Sequence, residues 1–340
     1  MLHGSIDCLD DINRLPSPYD FGMLSRLKNL LPQLASSTSS NQHAHFLTGR
    51  MTSTTSTFHL PNSHPPIPIT HPACMSQDQL LAFPAFKTWF NTLRHSLSLQ
   101  RDSSTHPFHK SPYSLKSIEI QSFDLFSGQR LGFLKLKAEV SNEDGEHLPG
   151  SVFMRGGSVA MLIILTPSDG LDREAHAEYA ILTLQPRIPA GSLSFIELPA
   201  GMIDDSGTFA GAAAREVHEE TGLEISSDEL IDMTQLASSM NLSGANSPPA
   251  SSAEEERLQN AMYPSPGGSD EFMPIFLARK SLPTHEIEEL KGKLTGLRDR
   301  GEKITLKIVP VHEVWKVAWR DGKTLAAMAL YEGLRAEGRI

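Results

Sequence analysis

The sequence predicts an α/β protein in which a β-rich portion leads into a domain of strands and helices. Three observations carry this. Residues 158–165 (SVAMLIIL) are continuous enough in apolar character for a strand buried on both faces. Upstream, Leu134, Leu136, Ala138 and Val140 alternate with Lys135, Lys137 and Glu139, the period of a strand with one face in a core. Downstream, residues 209–221 are mostly strong helix formers. Thr208 stands at the N-cap position, and Gly222 stands where a left-handed residue ends a helix.

Length and composition set the bounds. The 340 residues could hold one large domain or two, and 39% hydrophobic with 21% charged residues fits a globular chain with a polar flank. The formal net charge of −10 argues against a nucleic-acid partner or an anionic membrane surface. No apolar run approaches the ~18 residues that would indicate a membrane span. Cys8 and Cys74 lie outside the expected core, so neither a disulfide framework nor a zinc site follows. A reducing compartment, the cytoplasm, is the expected location.

Taken in order, residues 1–75 are expected to form a disordered tail. Ser, Thr, His, Asn and Pro dominate residues 36–72, a composition too poor in apolar surface to offset its ordering entropy. The irregular spacing of His43, His45, His59, His64 and His71 reads as loop decoration rather than a metal tract. No Asp or Glu occurs in residues 21–77, and residues 23–31 can form a small basic amphipathic helix, which is transit-peptide composition. Asp7, Asp10, Asp11 and Asp20 stand against that reading, so mitochondrial targeting is the alternative to the cytoplasm.

Residues 76–149 are expected to be a helical and β-rich extension. Residues 77–99 have apolar positions near helical period, interrupted by Pro84, and give one or two helices. Ile118 and Ile120 alternate as in a strand, Val152 and Phe153 mark another, and Asp144-Gly145 and Gly156-Gly157 mark turns. Residues 150–340 form the main domain. After residues 158–165 come a polar loop at 169–174, a strand at 179–185, a short apolar strand end at 197–200 and a glycine-bearing loop at 201–207. Residues 238–260 read as an insertion loop, 272–278 as a strand, 281–297 as a charged helix and 304–309 as an alternating strand. Residues 323–337 close the chain as an amphipathic helix with Leu325, Met328, Ala329, Tyr331 and Leu334 as its buried stripe.

The helix at 209–221 carries the chemistry. Glu216, Glu219 and Glu220 share one face at spacings of three and four. Like charges so placed repel by a few tenths of a kcal/mol per pair, and a divalent cation removes the conflict. A solvated acidic face with Arg215 paired to Glu219 is the plainer reading of these residues alone.

Their tie to the glycine loop favours the cation. Gly201, Arg215, Glu216, Val217, Glu219, Glu220, Gly222 and Leu223 fall in the register of the Nudix box, and the chain resembles that family. One position departs: Gly207 stands where the family pattern has a Glu, and Asp204 or Asp205 is expected to supply the missing carboxylate to Arg215. The resemblance implies a Nudix fold, an α/β (α+β) arrangement with a mixed β-sheet sandwiched between helices and an N-terminal β-rich extension. It implies Mg²⁺, with Mn²⁺ as an alternative, held by Glu216, Glu220 and the Ala200 carbonyl. Glu219 would serve a further ion, and Glu302 or else Glu271 would act as base. Gln185-Pro186-Arg187 ahead of Glu197-Leu198-Pro199-Ala200-Gly201, and the segment 265–271, are similar to the nucleoside diphosphate sugar branch. Arg155, Arg187 and Glu197 are then expected to bind substrate. The implied activity is hydrolysis of ADP-sugar or UDP-sugar to nucleoside monophosphate and sugar 1-phosphate, by a homodimer. The alternatives are another pyrophosphate substrate, such as ADP-ribose or a coenzyme A species, or a catalytically weak domain that senses a nucleotide.

Overall fold

A computed structural model describes residues 54–61, 63, 65–126, 130–169, 177–203, 208–241, 256–298 and 301–340. The first half is built on strands β1 (Thr55–His59), β2 (Pro68–Pro72), β3 (Ser114–Leu125), β4 (Leu131–Ser141), β5 (His147–Leu148) and β6 (Ser151–Met154). Among the described residues these form a six-stranded sheet ordered β1-β2-β3-β4-β5, with β6 also on β4. Helices α1 (Gln77–Ala82) and α2 (Pro84–Asp102) cover it. Pro84 does not bend one helix; it starts the second, where its missing N–H costs no helical bond. Ser76 and Gln79 close a capping box on α1. The alternation of β4 is as expected: Leu134, Leu136, Ala138 and Val140 are buried beside Ile118, Ile120, Leu80 and Phe86.

Two expectations here are corrected. The tail does not extend to residue 75, because β1 and β2 pair in register from Thr55↔Pro72 to His59↔Pro68, and β2 adds to β3 with Ile69 fully buried. A few apolar residues, Phe58, Ile67 and Ile69, anchor a strand pair whose other positions are polar. His59 and His71 therefore lie in strands. Residues 1–53 fall outside the described residues. The extension also passes residue 149, since β6 pairs with β4.

The second half contains β7 (Ser158–Pro167), β8 (Tyr179–Arg187), β9 (Ser192–Glu197), β10 (Ala200–Met202), α3 (Phe209–Thr221), β11 (Ile231–Asp232) and α4 (Met233–Asn241). It continues with β12 (Ile275–Leu282), α5 (Thr284–Leu290), β13 (Leu294–Thr295), β14 (Ile304–Pro310), α6 (Val314–Val317) and α7 (Gly322–Ala336). The sheet order is β11-β12-β7-β8-β14-β13, with β10 on β7 and β9 on β8. β12 runs parallel to β7 and the other pairs are antiparallel, so the sheet is mixed.

Helices cover both faces. Val159, Met161, Ile163 and Leu165 of β7 pack with Ala212, Ala213 and Val217 of α3 and with Ile287 and Leu290 of α5. Ala160, Leu162 and Ile164, the alternate set, pack with Met233, Val314, Ala327, Tyr331 and Leu334 of α4, α6 and α7. This is why residues 158–165 show no polar alternation.

Four elements differ from expectation. The charged helix at 281–297 is only α5, because the chain turns at Gly292 and Gly296, whose φ values of 73° and 80° are left-handed. The strand expected at 272–278 starts at Ile275 and runs to Leu282, and residues 238–241 belong to α4. On α7, Leu325 and Ala329 face outward; Lys323, Thr324, Ala327, Met328, Tyr331 and Leu334 are buried. The hydrophobic stripe misplaces that face because two polar residues are buried at its start.

Candidate active site

Strand β10 and helix α3 form the first group. Thr208 Oγ1 accepts the Gly211 N–H at 3.1 Å, and Gly222 ends the helix with φ 76°. Antiparallel pairing sets Ala200 against Ala160 and Gly201 against Val159, the latter pair on the side where α3 packs. A Cβ on Gly201 would stand 1.8 Å from the Glu216 carboxyl carbon. Only glycine lets that carboxylate lie against the strand. One turn on, buried Glu220 accepts the Ala200 N–H at 3.0 Å.

Burial, and next the charge of Glu216, push the Glu220 carboxyl up to about 8. The Ala200 bond and Arg187 pull it down, while Glu197 adds to the rise. Two neighbouring carboxylates, one of them desolvated, fit a divalent cation. Among the described residues no three His, Cys, Asp or Glu side chains converge as a ligand group. The α3 pair therefore needs further oxygens from main chain, water or substrate phosphate, the mixture Mg²⁺ favours.

The second group sits under Ala200 on the α7 side. Glu197 Oε1 takes Arg187 Nε at 2.6 Å, and Oε2 pairs with Lys323 Nζ. The Glu197 side chain is 3% exposed, so it is placed to hold Arg187 rather than to reach a substrate itself. The Arg187 side chain is 39% exposed. Lys323 also reaches Asp321 Oδ1 at 3.1 Å. Asp321 Oδ2 accepts the Thr324 N–H at 3.2 Å, capping α7, and the Leu198 N–H at 3.3 Å.

A third group joins the two sheets. Segment 265–272 runs along β6, where the Phe153 N–H donates to the Gly268 carbonyl at 2.8 Å. Asp270 accepts the Arg155 N–H at 2.8 Å and the Gly156 N–H at 3.2 Å, and burial raises its pKa. Glu271 Oε1 accepts the Ser158 hydroxyl at 2.7 Å and pairs with Arg155 Nη1 at 3.3 Å. Among the described residues the buried Nε of Arg155 has no hydrogen-bond partner. Glu271, expected as the alternative base, is thus committed to Arg155 and Ser158.

Glu219 is exposed on α3. Glu302 is exposed in the loop that docks on the end of that helix: Thr295 Oγ1 donates to the Glu220 carbonyl and Gly296 N–H to the Glu219 carbonyl. The Glu302 carboxylate accepts the Leu297 N–H at 3.1 Å. Asp204, Asp205 and Gly207, with the expected bond to Arg215, lie outside the described residues.

Sequence reasoning missed Lys323, Asp321 and Thr324. One signal was present: a lysine in the first turn opposes the helix dipole, which is tolerated when a carboxylate from elsewhere holds it. Asp321 two residues earlier is also an N-cap signature.

The family model described as NUDIX domain matches residues 159–328. Nudix hydrolase 14, chloroplastic, of Arabidopsis thaliana is 37% identical over 257 residues, covering 75% of this chain and 72% of its own. A crystal structure of an ADP compounds hydrolase aligns with a TM-score of 0.38 at 16% identity, over 67% of this chain and 99% of that chain. With Gly201, the α3 carboxylates and the mixed sheet between helices in place, the chain is a member of the Nudix hydrolase family.

Proposed function

We propose that the chain hydrolyses the pyrophosphate bond of nucleoside diphosphate sugars, ADP-sugar or UDP-sugar, releasing nucleoside monophosphate and sugar 1-phosphate. The observation that carries this is the seating of Glu216 on Gly201 and of Glu220 on the Ala200 N–H. Glu216, Glu220 and the Ala200 carbonyl would hold Mg²⁺, and exposed Glu219 a further ion. A bound divalent ion would neutralise phosphate charge and acidify a water.

The remaining work falls to side chains. Two guanidinium groups, Arg155 and Arg187, suit the diphosphate, since the guanidinium fork matches phosphate oxygens. The orphan Nε of Arg155 favours that role. Glu302 takes the proton of the attacking water as an oxygen–phosphorus bond forms and the bridging oxygen leaves with the other phosphate. Glu302 is favoured over Glu271 because the latter is already paired with Arg155. Such general-base help is worth roughly 10²–10⁴-fold.

A substrate panel tests the reading: ADP-glucose, UDP-glucose, ADP-ribose and coenzyme A under one set of Mg²⁺ conditions. A nucleoside diphosphate sugar should give the highest kcat/KM. Preference for coenzyme A, or binding of a nucleotide without turnover, rejects it. A homodimer through the N-terminal extension belongs to the same proposal and is read by sedimentation equilibrium or light scattering. The acid-free stretch at 21–77 and the chloroplastic relative favour organelle targeting over the cytoplasm. A fluorescent fusion of the full chain would decide between them.

A further inference from the structure

We propose that Lys323 is a positioning residue of the hydrolytic site, holding Glu197 and through it the guanidinium of Arg187. This rests on the reading of Arg187 as a substrate contact. Lys323 is 9% exposed in its side chain, a burial rare for lysine unless it is paired. It lies in the first turn of α7, where the helix dipole opposes a cation, so the helix itself gives no reason for the charge. Glu197 and Asp321 do: Nζ pairs with Glu197 Oε2 and stands 3.1 Å from Asp321 Oδ1.

The geometry makes Lys323 more than a neutralising charge. Each oxygen of Glu197 is held by a different cation, Arg187 on one side and Lys323 on the other. That fixes the plane of a carboxylate that sits 126 residues away from Lys323 in sequence. The first turn of α7 cannot drift from this point, because the Leu198 N–H donates to Asp321 Oδ2 at 3.3 Å and to Thr324 Oγ1 at 3.2 Å. Leu198 is two residues before Ala200, so the same turn that holds Glu197 also holds the strand leading to the candidate metal site. Without Lys323, one buried oxygen of Glu197 loses its cation. The carboxylate then turns both oxygens to the Arg187 fork and draws it away from the diphosphate.

The test is a double-mutant cycle on hydrolysis of ADP-glucose, UDP-glucose or ADP-ribose, whichever the wild type turns over best, at saturating Mg²⁺. It uses the full chain with Lys323→Met, Glu197→Gln, the double variant and Lys323→Arg, each checked for a cooperative melt. Lys323→Met and Glu197→Gln should each raise KM by about tenfold, with kcat changed by less than about threefold. The double variant should be no worse than the worse single, the non-additivity of residues that act through one another. Lys323→Arg keeps the charge and should return most of the KM. An unchanged KM in Lys323→Met, or multiplied effects in the double variant, overturns the proposal.

If Lys323→Met does not melt cooperatively, the double variant, which lacks both charges, is compared with Glu197→Gln alone. Equal KM supports the proposal and a further rise of about tenfold overturns it. If the wild type turns over none of the three compounds, the hydrolytic reading fails by itself. The same cycle, read as calorimetric binding of those compounds, then decides the role of Lys323, and absence of binding to all three overturns both.

Discussion

The two faces of β7 solve different problems. On the α3 face the contacts are apolar, Val159, Met161 and Ile163 against Ala212, Ala213 and Val217, and the carboxylates Glu216 and Glu220 gather at its edge by Gly201 and Ala200. On the α7 face a similar apolar layer ends in a buried charge network of Arg187, Glu197, Lys323 and Asp321. The α3 face sets two carboxylates close enough that the charge of Glu216 raises the pKa of Glu220, which is what a cation site needs. The α7 face matches each charge with its opposite, which is what a rigid support needs. Substitutions on the first face should change chemistry more than stability, and those on the second should change both.

The largest effect expected is that of Glu220→Gln. The amide keeps shape and still accepts from Ala200, so the melting temperature should hold while turnover falls by roughly 10²-fold or more. Near-wild-type turnover would make the α3 face an acidic surface only. Next is Gly201→Ala. The new methyl meets a flexible carboxylate rather than backbone, so the chain should fold, but Glu216 must move off the strand. Turnover should fall by about tenfold through misplacement, with melting nearly unchanged. A variant that loses stability and keeps its specific activity would reverse the reading of this glycine.

On the α7 face, Asp321→Ala removes the cap of α7, the Leu198 bond and one partner of Lys323. Stability should fall by about 2 kcal/mol or more, several degrees in a thermal melt. Little change would show that the network is not a support.

The contrast also explains what could be read from sequence. The α3 face is encoded by consecutive residues: Thr208, the helix, Glu216, Glu220 and Gly222 are set by helical spacing, and the helix runs from Phe209 to Thr221 as its composition indicates. The α7 network brings together Arg187, Glu197 and Lys323, and no local period links them. The hydrophobic stripe misplaced Leu325 and Ala329 for the same reason, since burial at the start of α7 follows charge pairing rather than apolarity. The strands β1 and β2 were hidden in polar sequence because pairing, of β1 with β2 and of β2 with β3, rather than composition holds them.

The smallest effect concerns pH without metal. Burial, and next the Glu216 charge, push the Glu220 carboxyl up to about 8 in the fold against an ordinary value of 4.5, so the folded chain keeps a proton that the unfolded chain has released between them. Its contribution to stability is fully present below the lower value and is lost as pH rises toward the higher one. Melting in EDTA should therefore decline by a few degrees across that window, and Mg²⁺ should flatten the decline. A flat profile in EDTA would mean that Glu220 is not desolvated.

Product analysis of ADP-glucose hydrolysis, with and without removal of divalent metal, tests the central claim most directly. With Mg²⁺, phosphorus NMR should show AMP and glucose 1-phosphate appearing in equal amounts, and EDTA should stop both. Equal turnover in EDTA, or release of inorganic phosphate or free ADP in place of those two products, would contradict a cation-dependent pyrophosphate hydrolase at Ala200, Glu216 and Glu220.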